Sequence, residues 1–206
     1  MPEPPAALDP LLTTWPAGRR LYRVHSKTCA PTAFNPGAGR PGRFHPIASA
    51  SGKAIPTLYA ADCINGALPE TVFHSLVAGG VVLRGELRHR YLTEIELTET
   101  ITVADLTGHG LRRLGLTRRE LLECGPAYYG ATARWAAALH ESTPALAGLV
   151  WVSRQFDTST MLVAFGDRLG PQPFVARGAS KPLDRGAGLR LLQRAASEAG
   201  ITVVEA

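Results

Sequence analysis

Between Asn35 and Ser75 the chain runs through a glycine-rich loop, a short apolar segment ending at Tyr59 and a helix-forming segment whose one carboxylate is Glu70. Gly37, Gly39 and Gly42 permit close backbone approach, and Arg43 follows them directly. Loop, strand and helix in that order make a pocket wall. An arginine, a phenol and a carboxylate presented by three different elements suit an anionic, sugar-containing ligand better than they suit a core. The rest of the chain is read around that wall.

The glycines match G-x-G-x-x-G, but no buried strand leads into them and Pro41 sits inside the motif. The dinucleotide fingerprint needs strand, tight turn and helix N-terminus together, so a Rossmann fold is rejected. After the loop, Ile55 to Cys63 reads as a strand running into a helix with Asp62 as its N-cap. Ile64, Leu68, Val72 and Leu76 recur at four-residue intervals and mark one buried helix face. Pro69 removes a backbone donor inside that pattern and should kink the helix or start a second one. Glu70 follows it, and on general grounds is a solvated first-turn glutamate. His74, four residues on, would share its face as a surface pair.

Upstream, residues 1–18 are proline-rich and aperiodic, which reads as a surface leader ahead of one domain over 19–206. RLYRVH alternates as a first strand, with Arg23 opposite Tyr22 and Val24, and statistics favour an edge strand with Arg23 in water. Downstream, Val81 to Thr107 is strand-rich with a turn near Glu99. Thr117 with Glu120 makes a capping box for a short helix that stops at Gly125, and a longer helix covers Tyr129 to His140. GLVWVSRQF is a buried strand delivering Ser153 and Arg154, a further strand begins near Thr160, and a helix over Ala187 to Ala199 leads to the terminal strand ITVVEA. Short strands and helices alternate irregularly, so the fold class is α+β, one mixed domain with an irregular central sheet.

Composition narrows the function classes. At 206 residues with 45% hydrophobic content the chain can bury a sizeable core. It has no apolar run long enough to span a bilayer and no signal-peptide pattern, which makes the cytoplasm the expected compartment. Three cysteines without a C-x-x-C pair indicate neither a disulfide framework nor a zinc site, and no metal is expected. The charge of +5 comes almost wholly from arginine, since Lys27, Lys53 and Lys181 are the only lysines. That balance favours anionic ligands, yet no nucleic-acid-binding module is recognisable. Ser153 lacks the glycines of a nucleophile elbow, and no H-E-x-x-H is present.

Taken together, RLYRVH, GRF after the glycine loop, TLYAADC leading to PETVFH, and LVWVSRQFDTSTMLVAFGDR resemble the RES domain, a family named for its arginine, glutamate and serine. The resemblance spans Arg20 to Arg168, and its strength lies in the order and spacing of the motifs. It implies the toxin of a bacterial toxin–antitoxin pair, related in fold to ADP-ribosyltransferase toxins, which degrades NAD as an NAD phosphorylase or NAD glycohydrolase. It places the catalytic residues at Glu70, Arg23 and Ser153, and substrate contacts at Arg43, Tyr59 and Tyr22. It implies no resident cofactor: NAD is the substrate, and inorganic phosphate is an optional co-substrate. The implied partner is an Xre-type antitoxin that covers the active site, with nucleic acid met only indirectly through it, and a homo-oligomer is left open. Two alternatives also stay open, an ADP-ribosyltransferase acting on a protein and a non-enzymatic nucleic-acid-binding module.

The expected chemistry is consistent with those residue types. Breaking the bond between a cationic nicotinamide and its ribose expels a neutral leaving group, so no general acid is needed, and the transition state resembles an oxocarbenium ion. A preorganised carboxylate suits that charge, and guanidinium forks suit a pyrophosphate.

Overall fold

The structure, a computed structural model, describes residues 1–205. Ala206, the end of the expected terminal strand and domain, lies outside the described residues. In chain order the elements are β1 (Leu12–Trp15), β2 (Arg20–Ser26), β3 (Ile47–Ala48), β4 (Ala54–Ile55), β5 (Thr57–Ala61), α1 (Ile64–Thr71), β6 (Val81–Leu83), β7 (Arg90–Leu97) and β8 (Ile101–Asp105). Then follow α2 (Gly108–Arg113), α3 (Arg118–Leu121), α4 (Tyr129–Ser142), β9 (Leu146–Val152), β10 (Thr160–Phe165), β11 (Phe174–Pro182), α5 (Gly186–Glu198) and β12 (Thr202–Val204).

Eight strands form one mixed sheet in the order β1-β8-β9-β10-β5-β2-β7-β11, so the α+β class and the irregular central sheet expected from the sequence are present. Strands β8 and β9 run parallel, and the other pairs are antiparallel. Period-two alternation gives the sheet two apolar faces. On one, Tyr59, Trp151, Met161 and Val163 pack with Leu68 of α1, Trp135 of α4 and Leu192 of α5. On the other, Leu58, Val150 and Leu162 from the middle of the sheet join Trp15 and Val103 from one end and Leu97 and Phe174 from the other, which curves the sheet around a second core.

Several expectations change. The N-terminal residues do not stand apart as a leader: β1 pairs with β8, Trp15 is buried, Met1 and Leu8 pack on the first core, and Pro2 accepts a hydrogen bond from the Trp135 indole. The division at residue 18 is therefore not a structural boundary. Strand β2 is interior rather than edge, since it lies between β5 and β7. β11, a strand not expected from the sequence, carries Gly178, Lys181 and Pro182, which are tolerated because it is the sheet's edge and bulges between Arg177 and Lys181. The N-cap of α1 is Cys63, while Asp62 accepts from the Ser159 hydroxyl. The capping box at Thr117 forms, with Glu120 bonding back, although α3 ends at Leu121.

One feature of the sheet positions the site. Strand β2 pairs with β7 over seven positions, but with β5 only where Tyr22 faces Ala61. Beyond that pair the two strands part, and a cleft opens between them. Helix α1 is seated beside it by Gly66, where an added Cβ would come within 1.9 Å of the Ser159 hydroxyl. This close approach draws α1 against the turn between β9 and β10, and Glu70 sits one helical turn further along on the same side.

Candidate active site

Glu70 lies in the last turn of α1, half-buried. Its Oε1 accepts from the Ser153 hydroxyl at 2.7 Å and from the Arg154 amide at 3.1 Å. Ser153, just past the end of β9, is wholly buried, and its oxygen accepts from the amides of Gln155 and Phe156 at 3.0 and 3.1 Å. With both lone pairs taken by amide donors, the single hydroxyl proton has one place to go, the Glu70 carboxylate. Ser153 thus orients Glu70 and lies behind it, with its oxygen and its proton already engaged. Oε2 of Glu70 has no protein partner among the described residues, which leaves one oxygen of a rigidly held carboxylate for a ligand.

The helix stops at Thr71, two residues after Pro69, so proline interrupts α1 by preceding its end rather than by kinking a longer helix. His74 consequently does not share a helix face with Glu70. Both nevertheless line the cleft, which has a volume of about 480 Å³. Val72 and Leu76 also lie beyond the helix but still pack on the first core.

Arg23 reaches the cleft from β2, where the sheet has split. Its Nη1 donates to the carbonyls of Pro31 at 2.8 Å and Ala33 at 2.7 Å, tying down the loop after β2. Both bonds use one nitrogen, and Nη2 has no protein partner among the described residues. Burial pulls the guanidinium down to about 10, still charged at neutral pH. A charge held in this way is one that a nearby anion would stabilise.

Arg43 also lines the cleft but is 8% exposed. Its Nη1 donates to the carbonyls of Leu121 and Cys124 at 3.2 and 3.3 Å, closing the C-terminal end of α3, and the Thr132 hydroxyl donates to its backbone carbonyl. Tyr59, from β5, accepts from the Phe44 amide at 3.0 Å, which ties the glycine loop to the sheet. Burial raises its phenol, so Tyr59 remains neutral. Tyr22 packs on the first core and is not among the cleft-lining residues. The structure therefore brings Glu70, Arg23, Arg43 and Tyr59 to one cleft, places Ser153 behind Glu70, and leaves Tyr22 outside.

Sequence reasoning passed over Tyr129 and Trp151, which line the same cleft. Alternation along β9 was a usable signal for Trp151, because it shares the Leu149 face. It meets Tyr59 edge-on at 6.2 Å and Phe44 at 5.1 Å. Tyr129 carries no local pattern, and only the packing of α4 brings its hydroxyl to 3.1 Å from His74 Nε2.

Two consequences can be measured. Ser153→Ala removes the proton that orients Glu70 and takes the acceptor from two part-buried amides, so stability should fall by about 1–3 kcal/mol. Ligand turnover should drop about tenfold through the misplaced carboxylate, since positioning losses are felt in rate. Thermal melting and turnover under saturating ligand check this, and a variant with wild-type turnover removes Ser153 from the site. Separately, burial pushes the imidazoles of His25 and His45 down. The unfolded chain then binds more protons than the native one below about pH 6.5, so stability is full above that value and declines as pH falls through it. Melting temperature should be lower at pH 5.5 than at 7.5, and a flat profile refutes the assignment.

A family model described as RES domain matches residues 20–183. Among solved structures, a chain in the crystal structure of the M. tuberculosis MbcT–MbcA toxin–antitoxin complex aligns with a TM-score of 0.59 at 17% identity, over 87% of this chain and 91% of that one. At that identity the likeness speaks for the fold. A search of curated proteins gave no match. Among the described residues, no helix is long and apolar enough to cross a membrane, and no cluster of three or more His, Cys, Asp or Glu side chains could hold a metal ion.

Proposed function

The chain belongs to the RES domain family, and from that premise we propose that it is the toxin of a toxin–antitoxin pair that destroys NAD by breaking the nicotinamide–ribose bond. The observation that carries this reading is Glu70, held through Oε1 by Ser153 and Arg154 with Oε2 free, at the wall of a cleft that two arginines enter. The membership of a solved neighbour in a toxin–antitoxin complex supports the biological setting. An Xre-type antitoxin that seals this cleft is the partner this setting calls for.

In the proposed reaction Arg23 takes a pyrophosphate oxygen through its unpartnered Nη2, which places the nicotinamide ribose beside Glu70. The C1′–N bond breaks, its electron pair leaves with neutral nicotinamide, and positive charge spreads over C1′ and the ring oxygen. Glu70 Oε2 stabilises that charge and accepts from a ribose hydroxyl. The carboxylate is already oriented, so no reorganisation is needed as the charge develops. An oxygen nucleophile then bonds to C1′ and gives up its proton. Water yields ADP-ribose, inorganic phosphate yields phosphorylated ADP-ribose, and a protein side chain yields an ADP-ribosylated target.

Incubating the antitoxin-free protein with NAD, with and without phosphate, and identifying products by NMR tests the proposal. Free nicotinamide supports it, and the phosphate dependence of the second product separates phosphorylase from glycohydrolase. NAD left intact overturns it.

A further inference from the structure

Resting on that reading, we propose that His74 is the catalytic base, taking the proton of the incoming oxygen acid as that oxygen bonds to C1′. The O–H is that of water or of the phosphate monoanion. One C–O bond forms, and the O–H electrons stay with oxygen as its proton moves to the imidazole.

The assignment follows from the inventory of the cleft. Its other titratable side chains are Arg23, Arg43, Tyr59, Tyr129 and Glu70. A guanidinium has no acceptor site, burial raises the Tyr59 phenol so that it keeps its proton, and the Tyr129 hydroxyl is engaged with His74 Nε2. Glu70 is committed to Ser153, Arg154 and the ribose. His74 is the one remaining group that can be neutral and basic. Burial pushes its imidazole down, Arg154 and Arg43 add to this, and Glu70 opposes it. The free base therefore persists at physiological pH.

The ring is also held. Nε2 pairs with the Tyr129 hydroxyl at 3.1 Å, while the His74 carbonyl accepts from the side chains of Arg154 and Gln155, both at 3.3 Å. When Nε2–H donates to Tyr129, the free base is at Nδ1. Nδ1 has no protein partner among the described residues and is not a buried orphan atom, so it is open to solvent. The hydrogen bond between α4 and the segment after α1 thus fixes the position of the ring, and because the Tyr129 hydroxyl can donate or accept, it leaves the imidazole proton free to sit on either nitrogen.

The test measures NAD turnover and KM against pH for the wild type, His74→Gln and His74→Ala, with water alone and with saturating phosphate. Wild-type kcat should fall on an acid limb with a midpoint below about 6.5, the ordinary imidazole value. His74→Gln should lose that limb and lower kcat in water by about 10²-fold or more, with KM little changed. Imidazole in solution should restore part of the activity of His74→Ala. With phosphate, the defect should shrink as pH rises, because the dianion attacks through an oxygen that carries no proton. Melting curves identify a variant that has failed to fold, and His74→Gln preserves a donor for Tyr129. If the wild type releases nicotinamide and His74→Gln keeps both kcat and the acid limb, the base assignment is overturned while NAD cleavage stands. If the wild type leaves NAD intact, the underlying reading fails and the base assignment with it.

Discussion

Glu70→Gln should lower kcat for NAD cleavage by about 10²–10³-fold while NAD still binds, because the lost interaction is one made to charge that exists only in the transition state. Glutamine is the informative replacement. Its carbonyl can still accept from the Ser153 hydroxyl and the Arg154 amide, so the buried Ser153 keeps an acceptor and α1 keeps its seat. What changes is the second position, where a neutral amide replaces the unpartnered Oε2. Glu70→Ala, by contrast, strands the Ser153 proton and mixes a folding defect into the rate. Turnover under saturating NAD, set beside calorimetric binding, separates the two. Equal losses of rate and affinity would make Glu70 a binding residue and remove it from cation stabilisation.

Arg23→Ala should act on both stability and affinity. Loss of Nη1 leaves the carbonyls of Pro31 and Ala33 without their donor, at about 1–3 kcal/mol for each that stays dry, and frees the loop after β2. Loss of the guanidinium facing the cleft should raise KM for NAD about 10- to 100-fold, the range of a hydrogen bond between charged groups. Arg23→Lys should restore the charge without restoring function. A single ammonium cannot bridge two carbonyls and a phosphate in one plane as the guanidinium fork can. An unchanged KM in Arg23→Ala excludes the phosphate role, and full rescue by lysine excludes the fork geometry.

Much of the fold was legible where side-chain periodicity is local. β2, β5, β9 and β10 follow from alternation or apolar runs, α3 from its capping box, and the end of α5 from Gly200, which adopts a positive φ of 67°. Where the sequence misled, long-range contacts outweighed local preference. β1 and the first half of β11 alternate in burial but not in residue polarity, which hid them, and the helix pattern through Val72 and Leu76 continues as core packing after α1 has ended. Arg23 was read as facing water because a strand's polar face usually does. The split between β2 and β5 gives it a third environment, half-buried between two loop carbonyls and an open cleft.

The sequence by itself determined the α+β class and the wall of glycine loop, Arg43, Tyr59 and Glu70, while Arg23 and Ser153 were singled out by the motifs that resemble the RES domain. These are properties of residue type and near-neighbour spacing. Tertiary structure alone decided their division of labour. It buried Ser153 behind Glu70, spent one nitrogen of each arginine on backbone carbonyls, packed Tyr22 against the core, and brought Tyr129 from α4 to His74. A hydrogen bond between residues 55 or 83 positions apart depends on how the sheet splits and how closely a helix approaches it. Here that approach turns on Gly66 and Ser159, residues with no chemistry of their own in the site.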